Sequence, residues 1–204
     1  LVLTGYGDVD KYELRRVPIP QPKPDEVLVK ISAISLNNTA INTRMGAYGD
    51  GTGQQQSWDG TSMQFPWIQG CDACGYVVQL GSNHAHKQKE YLGKRVLVNP
   101  NINKLNKHGE EYLDKYLGSE LPGTYAEYMT VPMDNIHVMD EAKVRLKDHE
   151  LCTFLCAYIT AQGMIANGGI KPNETVLVSG ASGGVGVALT QLLLIMHVKP
   201  IIIV

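Results

Sequence analysis

The run Thr175–Gln191, TVLVSGASGGVGVALTQ, constrains this chain more than any other stretch. Val176, Leu177 and Val178 form a short apolar run with β-branched residues, the pattern of a buried strand. Ala181, Ser182, Gly183, Gly184, Val185 and Gly186 follow directly, and an apolar helical pattern opens at once. Strand, glycine-rich turn and helix in that order are what a dinucleotide diphosphate needs. The turn brings backbone close to the anion, and the helix N-terminus offers free N–H groups and a partial positive charge. Ala181 stands where such a fingerprint usually has its first glycine. Gly183 lets the backbone approach the diphosphate, and Gly186 lets the helix pack close to the strand. The simpler alternative is a tight turn that binds nothing, and the complete strand–turn–helix context speaks against it.

The remaining text fits a soluble globular protein. Of 204 residues 44% are hydrophobic, and the net charge is −2. That balance, with no basic stripe, argues against nucleic acid as the main partner. No apolar run is long enough to span a membrane, and the N-terminus does not read as a signal peptide. Cys71, Cys74, Cys152 and Cys156 are expected to be reduced thiols of a cytoplasmic protein. Leu1 is not a start methionine, and Lys199–Val204 reads as a second parallel strand. A doubly wound domain needs further βα units, so the sequence reads as part of a longer chain. The residue that would read the coenzyme ribose is expected at or just beyond Val204.

Residues 1–135 are rich in short strand signals. Glu26–Ile34 alternates apolar and polar residues, and Tyr76–Leu80, Arg95–Val98, Ala126–Val131 and Ile136–Met139 are further strands by the same reading. Val17–Asp25 holds four prolines and must be extended and irregular. Such a series predicts a barrel-like, mostly antiparallel domain over residues 1–147. Tyr48–Ser62 and Asn101–Pro122 read as long polar surface segments. From Asp148 the pattern changes. Leu151–Ala166 reads as a helix with Asp148 as N-cap and Gly168–Gly169 as its stop. Gly184–His197 is apolar nearly all round, as a helix buried in a sheet–helix sandwich is.

The segments EVLVKISAISLN, IQGCDACGYVVQLG, GKRVLVNP, GTYAEYMTVP and KPNETVLVSGASGGVG, in that order, resemble the medium-chain dehydrogenase/reductase superfamily. They look most like its zinc-free, quinone-oxidoreductase-like branch. The resemblance implies a GroES-like, partly open barrel over residues 1–147 and the first part of a Rossmann doubly wound parallel sheet over residues 148–204. It implies a nicotinamide coenzyme, NADP with NAD as the alternative, and a homodimer. Thr160 resembles the residue that meets the nicotinamide carboxamide; otherwise it is a helix-interior threonine without such a role.

Zinc members of the superfamily hold a catalytic metal with Cys, His and Cys. Here those positions carry Asn37, Cys71 and Cys156. An amide is a poor zinc ligand, so no zinc is expected. An improvised set of Cys71, Cys156 and Asp72 is the alternative, and a four-thiolate site completed by Cys74 and Cys152 is a weaker one. The lobe that often carries structural zinc, Asn99–Pro122, contains no cysteine, and His84 with His86 reads as a solvated loop pair.

Without a metal, reduction of a quinone, enone or related carbonyl needs hydrogen-bond donors for the developing oxyanion. Asn37, Asn42 and Tyr48 lie where the family places its substrate-side residues. The two amides and the phenol can donate, and Tyr48 can deliver a proton. The bland readings are turn bracing by Asn37 and Asn42 and a rim position for Tyr48. Arg44 reads as structural. Ala40 stands where the family commonly has Asp, which takes an acceptor from the usual arrangement. Two other readings stay open: a zinc-type alcohol dehydrogenase with degenerate ligands, and a nucleotide-binding homologue without catalysis.

Overall fold

A computed structural model of the chain describes residues 1–48, 63–105 and 111–204. The chain divides into two compact units, Leu1–Thr153 and Phe154–Val204.

The first unit is built on β3 (Glu26–Ile34). Val27, Leu28 and Val29 are buried, and from Lys30 onward exposed and half-buried residues alternate. β3 runs antiparallel to β4 (Ala73–Leu80) on one side and β8 (Tyr128–Pro132) on the other. β5 (Arg95–Val98) and β9 (Ile136–Val138) complete a sheet of order β8-β3-β4-β5-β9. Val27, Val29, Val77, Val96, Val98 and Val131 form its core, each at most 1% exposed. β-Branched side chains suit such a pleated interior, because their restricted χ1 costs little there. The β3–β4 ladder is irregular twice: Val78 in β4 and Ser32 in β3 have no partner across the ladder. β1 (Val2–Leu3) pairs with β2 (Tyr12–Glu13) beside this sheet.

Two sequence expectations change here. Asn101–Pro122 is not wholly loop: β6 (Asn101–Leu105) and β7 (Glu111–Tyr116) pair antiparallel, and Ile102 and Leu117 carry the lobe into the core. The other polar segment, Tyr48–Ser62, lies outside the described residues except for Tyr48.

After α1 (Asn38–Met45) and α2 (Gln88–Tyr91), the helix expected over Leu151–Ala166 is two helices, α3 (Asp148–Leu151) and α4 (Phe154–Asn167). Asp148 is not the N-cap; Lys147 holds that position. Instead the Asp148 carboxylate receives Arg95 Nη2 at 2.5 Å, and the same nitrogen donates to Leu146 O at 2.6 Å. Arg95 is 8% exposed. α3 packs on β3 and β4 in the first unit, and α4 begins after Cys152–Thr153.

In the second unit, β10 (Thr175–Ser179) and β11 (Lys199–Ile203) pair in parallel, with α5 (Gly184–Ile195) between them in sequence. Ile165, Val178, Leu193 and Val198 form its core. Ala157 and Ala161 of α4 meet Ala188 of α5, small residues that let the helices approach closely. The buried strand expected over Val176–Val178 and the buried helix expected over Gly184–His197 are each covered on one face within this unit. Leu177 is 63% exposed and Ile195 74%, because within this unit the helices cover one face of a two-stranded sheet.

Candidate active site

Ile34 and Ala73 face each other at the end of the β3–β4 ladder. The next residues outward therefore leave the sheet side by side. Ser35 Oγ donates to Asp72 Oδ2 at 2.6 Å, and Asn37 Nδ2 donates to the same oxygen at 3.0 Å. Asn37 Nδ2 also lies 3.3 Å from Cys71 Sγ and 3.3 Å from Ser35 Oγ. Asp72 is fully buried and Cys71 is 6% exposed. Gly70 sets the approach. Its φ of +99° is a left-handed conformation, and a Cβ there would lie 2.3 Å from the Tyr125 ring, so only glycine turns the chain into Cys71 here. Thr124 Oγ1 fixes the other end by donating to Asp72 O at 3.0 Å.

Asn37 occupies the N-cap position of α1, yet its side chain makes no capping bond. The amide serves the Cys71–Asp72 pair instead. A carboxylate oxygen only accepts, so the amide edge facing Asp72 is its N–H edge. Asp72 takes the shortest of the amide's bonds, and Ser35 Oγ and the Cys71 sulfur, a weak acceptor, share the longer ones.

Asn42 and Tyr48 form a separate pair at the far end of α1, Nδ2 to Oη at 3.3 Å. The structure thus brings Asn42 to Tyr48 and Asn37 to Asp72. Arg44, in the last turn of α1, is buried, with Nη1 3.3 Å from Asp8 Oδ1 and its guanidinium 5.7 Å from the Tyr12 ring centre. Ala40 contributes its carbonyl, which accepts from Gln69 Nε2 at 3.2 Å. Ser35 was absent from the residues expected to form the site, and Asp72 was expected there only as a ligand of the alternative metal set. Asp72 adjoins Cys71 in the GCD motif, which was the available signal, whereas Ser35 carried none.

Cys74 and Cys152 serve the interior. Burial pushes the Cys74 thiol up. Burial, with the negative groups Asp72 and Cys74 nearby, pushes Cys152 up to about 11. Neither is poised as a metal-ligating thiolate. Cys71 and Asp72 are the metal-ligating residue types of the first unit's cluster, one short of the three that catalytic zinc takes. Asn37 presents N–H groups to both, a polarity opposite to that of a ligand.

In the second unit, Gly180 takes the left-handed conformation after β10, with φ +63°. The turn's special conformation thus falls on Gly180, and Ala181 needs no glycine; its methyl is buried in the core. A Cβ on Gly186 would lie 2.3 Å from Gly180 O and 2.6 Å from Ala181 Cα. Gly183 is the N-cap of α5 and supplies no side-chain cap. The first-turn N–H groups of Gly184, Val185 and Gly186 have no acceptor within the helix. Ser182, Gly183 and Gly184 are exposed. This is a cradle that fits a diphosphate. Thr160 Oγ1 donates to Cys156 O one turn back in α4, at 2.7 Å.

The fold and this turn define a GroES-like domain followed by a parallel βαβ unit with a glycine-rich turn. Residues 23–141 match the alcohol dehydrogenase GroES-like domain, and the chain belongs to that family, within the medium-chain dehydrogenase/reductase superfamily. An NAD-dependent alcohol dehydrogenase of Sulfurisphaera tokodaii is 29% identical over 188 residues, covering 88% of this chain and 51% of that protein. A protein of Sinorhizobium meliloti 1021 assigned as an alcohol dehydrogenase superposes with TM-score 0.85 at 38% identity, covering 100% of this chain and 56% of that one. The quinone oxidoreductase of Coxiella burnetii shares the fold, with TM-score 0.73 at 23% identity over 98% of this chain and 54% of that one. The chain spans about half the length of the relatives it matches. These relatives support the superfamily, and their names do not single out the zinc-free branch.

Proposed function

We propose that this chain serves an NAD(P)-dependent oxidoreductase reaction on a quinone, enone or related carbonyl, with amide donors in place of a metal. The observation that carries the reading is the Asn37 amide, held at buried Asp72 Oδ2 at 3.0 Å with longer contacts of 3.3 Å to Ser35 Oγ and Cys71 Sγ. A substrate oxygen that takes over from those longer contacts gains a strong, pre-oriented donor. One such donor is worth ~2.7–4 kcal/mol in the transition state. Ser35 keeps Asp72 in place by its own bond to the same oxygen. Asn42 holds the Tyr48 hydroxyl, the group proposed to deliver the proton. The amides of Ser182, Gly184, Val185 and Gly186 anchor the coenzyme diphosphate, Gly183 N–H being bonded to Gly180 O, and Thr160 is proposed at the carboxamide. The coenzyme, when bound, supplies or accepts the hydride.

A second reading takes Cys71 and Asp72 as zinc ligands, with Cys156 as the third that the sequence offers. The adjacency of a thiol and a carboxylate favours it. Metal analysis separates the two, since stoichiometric zinc in active protein supports the second and its absence the first. The reaction is tested by following oxidation of NADPH and of NADH with a panel of quinones and enones. Coenzyme binding without turnover would instead support a non-catalytic homologue. A homodimer and a cytoplasmic location belong to the same proposal, to be checked by light scattering and cell fractionation.

A further inference from the structure

A cavity of about 590 Å³ lies in the first unit, and none of Ser35, Asn37, Cys71 or Asp72 lines it. One wall is β8, an edge strand of the five-stranded sheet. Facing it is the proline-rich arm with Pro18 and Pro20, and Leu117 and Leu121 after β7 add an apolar third side. The arm cannot complete the sheet, because proline has no N–H to give the ladder. No backbone hydrogen bond among the described residues joins residues 17–22 to β8.

The direction of the free backbone groups follows from the register. Ile31 N–H donates to Glu127 O at 2.9 Å, and Val29 faces Met129 and Val27 faces Val131. Antiparallel pairs alternate, so these residues bond to β3 while the N–H and C=O groups of Tyr128 and Thr130 turn outward. Pro132 ends the edge. Two residues make too short a ladder to hold a peptide strand, yet they can orient a small molecule in an otherwise apolar site of this size.

The charges at the cavity also choose a ligand. The Glu26 carboxylate is held by Lys23, through its backbone N–H at 3.0 Å and its ammonium at 3.7 Å, so that pair cancels. Lys115 lines the same cavity and makes no ion pair among the described residues. Among the described lining residues it is the surplus charge. We propose that this cavity binds an elongated apolar molecule carrying one anionic headgroup, a carboxylate or a phosphate monoester. The body lies against Pro18, Leu117 and Leu121, and the headgroup meets Lys115.

Calorimetric titration of the purified protein with decanoate and with decyl phosphate tests this, with decyltrimethylammonium as the cationic control. Expected are a single site for one or both anions, no displacement by saturating NADPH, and affinity weakened about tenfold by Lys115→Glu. Ala126→Phe, which fills the cavity, should weaken it at least as much. Circular dichroism checks that both variants fold, and Lys115→Glu alters an exposed residue. The tighter anion identifies the headgroup. The proposal is overturned if neither anion binds, if the cation binds as tightly, if NADPH displaces the anions, or if folded Lys115→Glu binds them unchanged.

Discussion

Asn37 and Asp72 are 35 positions apart in sequence and 3.0 Å apart in space, amide nitrogen to carboxylate oxygen. The β3–β4 ladder closes that gap, and it gives a fully buried carboxylate two donors from the opposite strand's continuation.

Asp72→Asn keeps the shape and removes the charge. Hydrogen bonds to a charged acceptor contribute about 1.5–3 kcal/mol, neutral ones about 0.5–1.5. The variant is expected to lose about 1–3 kcal/mol in urea unfolding. It should also lose turnover through a misdirected Asn37, with coenzyme affinity unchanged. Steady-state kinetics beside a coenzyme titration reads the difference, and equal loss of both would contradict the assignment.

Gly186→Ala places a methyl against backbone at Gly180 and Ala181, atoms that cannot swing aside. Overpacking of this kind costs ~1–3 kcal/mol. The melting temperature should fall and NADPH affinity should drop, while Ser182→Ala, at an exposed position, melts as the parent does. Thermal denaturation and fluorescence titration check both.

Burial pushes the Asp148 carboxyl up, but hydrogen bonds from Ser32 and Arg95, and the Arg95 charge, outweigh it and hold the group below its ordinary value. A carboxyl lowered on folding gives stability that is full above its unfolded pKa of about 3.9 and is lost as pH falls through the folded value. Urea midpoints should therefore decline on acidification below about pH 4 more steeply in the parent than in Asp148→Asn. Parallel curves would show that the Arg95 pair carries no such linkage.

Cys152, at about 11 and 1% exposed, should resist iodoacetamide at pH 8. Cys74 is fully buried and shifted upward, and should resist too. Both should label fully in guanidinium. Peptide mass spectrometry gives the answer, and native labelling of Cys152 would mean that α3 opens readily.

The strands were the legible part of this sequence. Glu26–Ile34 and Arg95–Val98 stand in the structure with the limits their patterns gave, because period-two alternation and β-branched runs are local signals. The glycine turn was legible for the same reason. The split into α3 and α4 was not, and neither was the pairing of Asp148 with Arg95 of β5, which nothing near Asp148 announces. Asn37 could be named from its neighbours in the text, but its partner could not. Ser35 and Asp72 meet only through strand pairing, which a single sequence does not display. The exposure of Leu177 and Ile195 has a similar cause: an apolar run reports what a residue prefers, not what covers it.

Ser32 and Val78 each step out of the β3–β4 ladder once, on opposite strands, and the offsets cancel. Between them the two strands run one residue out of step; beyond them the count is restored. A deletion at either place would leave the offset uncorrected and turn the loop after Ile34 to the other side. The alignment of amide with carboxylate is thus kept by arithmetic in the sheet, and a change several residues upstream could disable the loop without touching any residue in it.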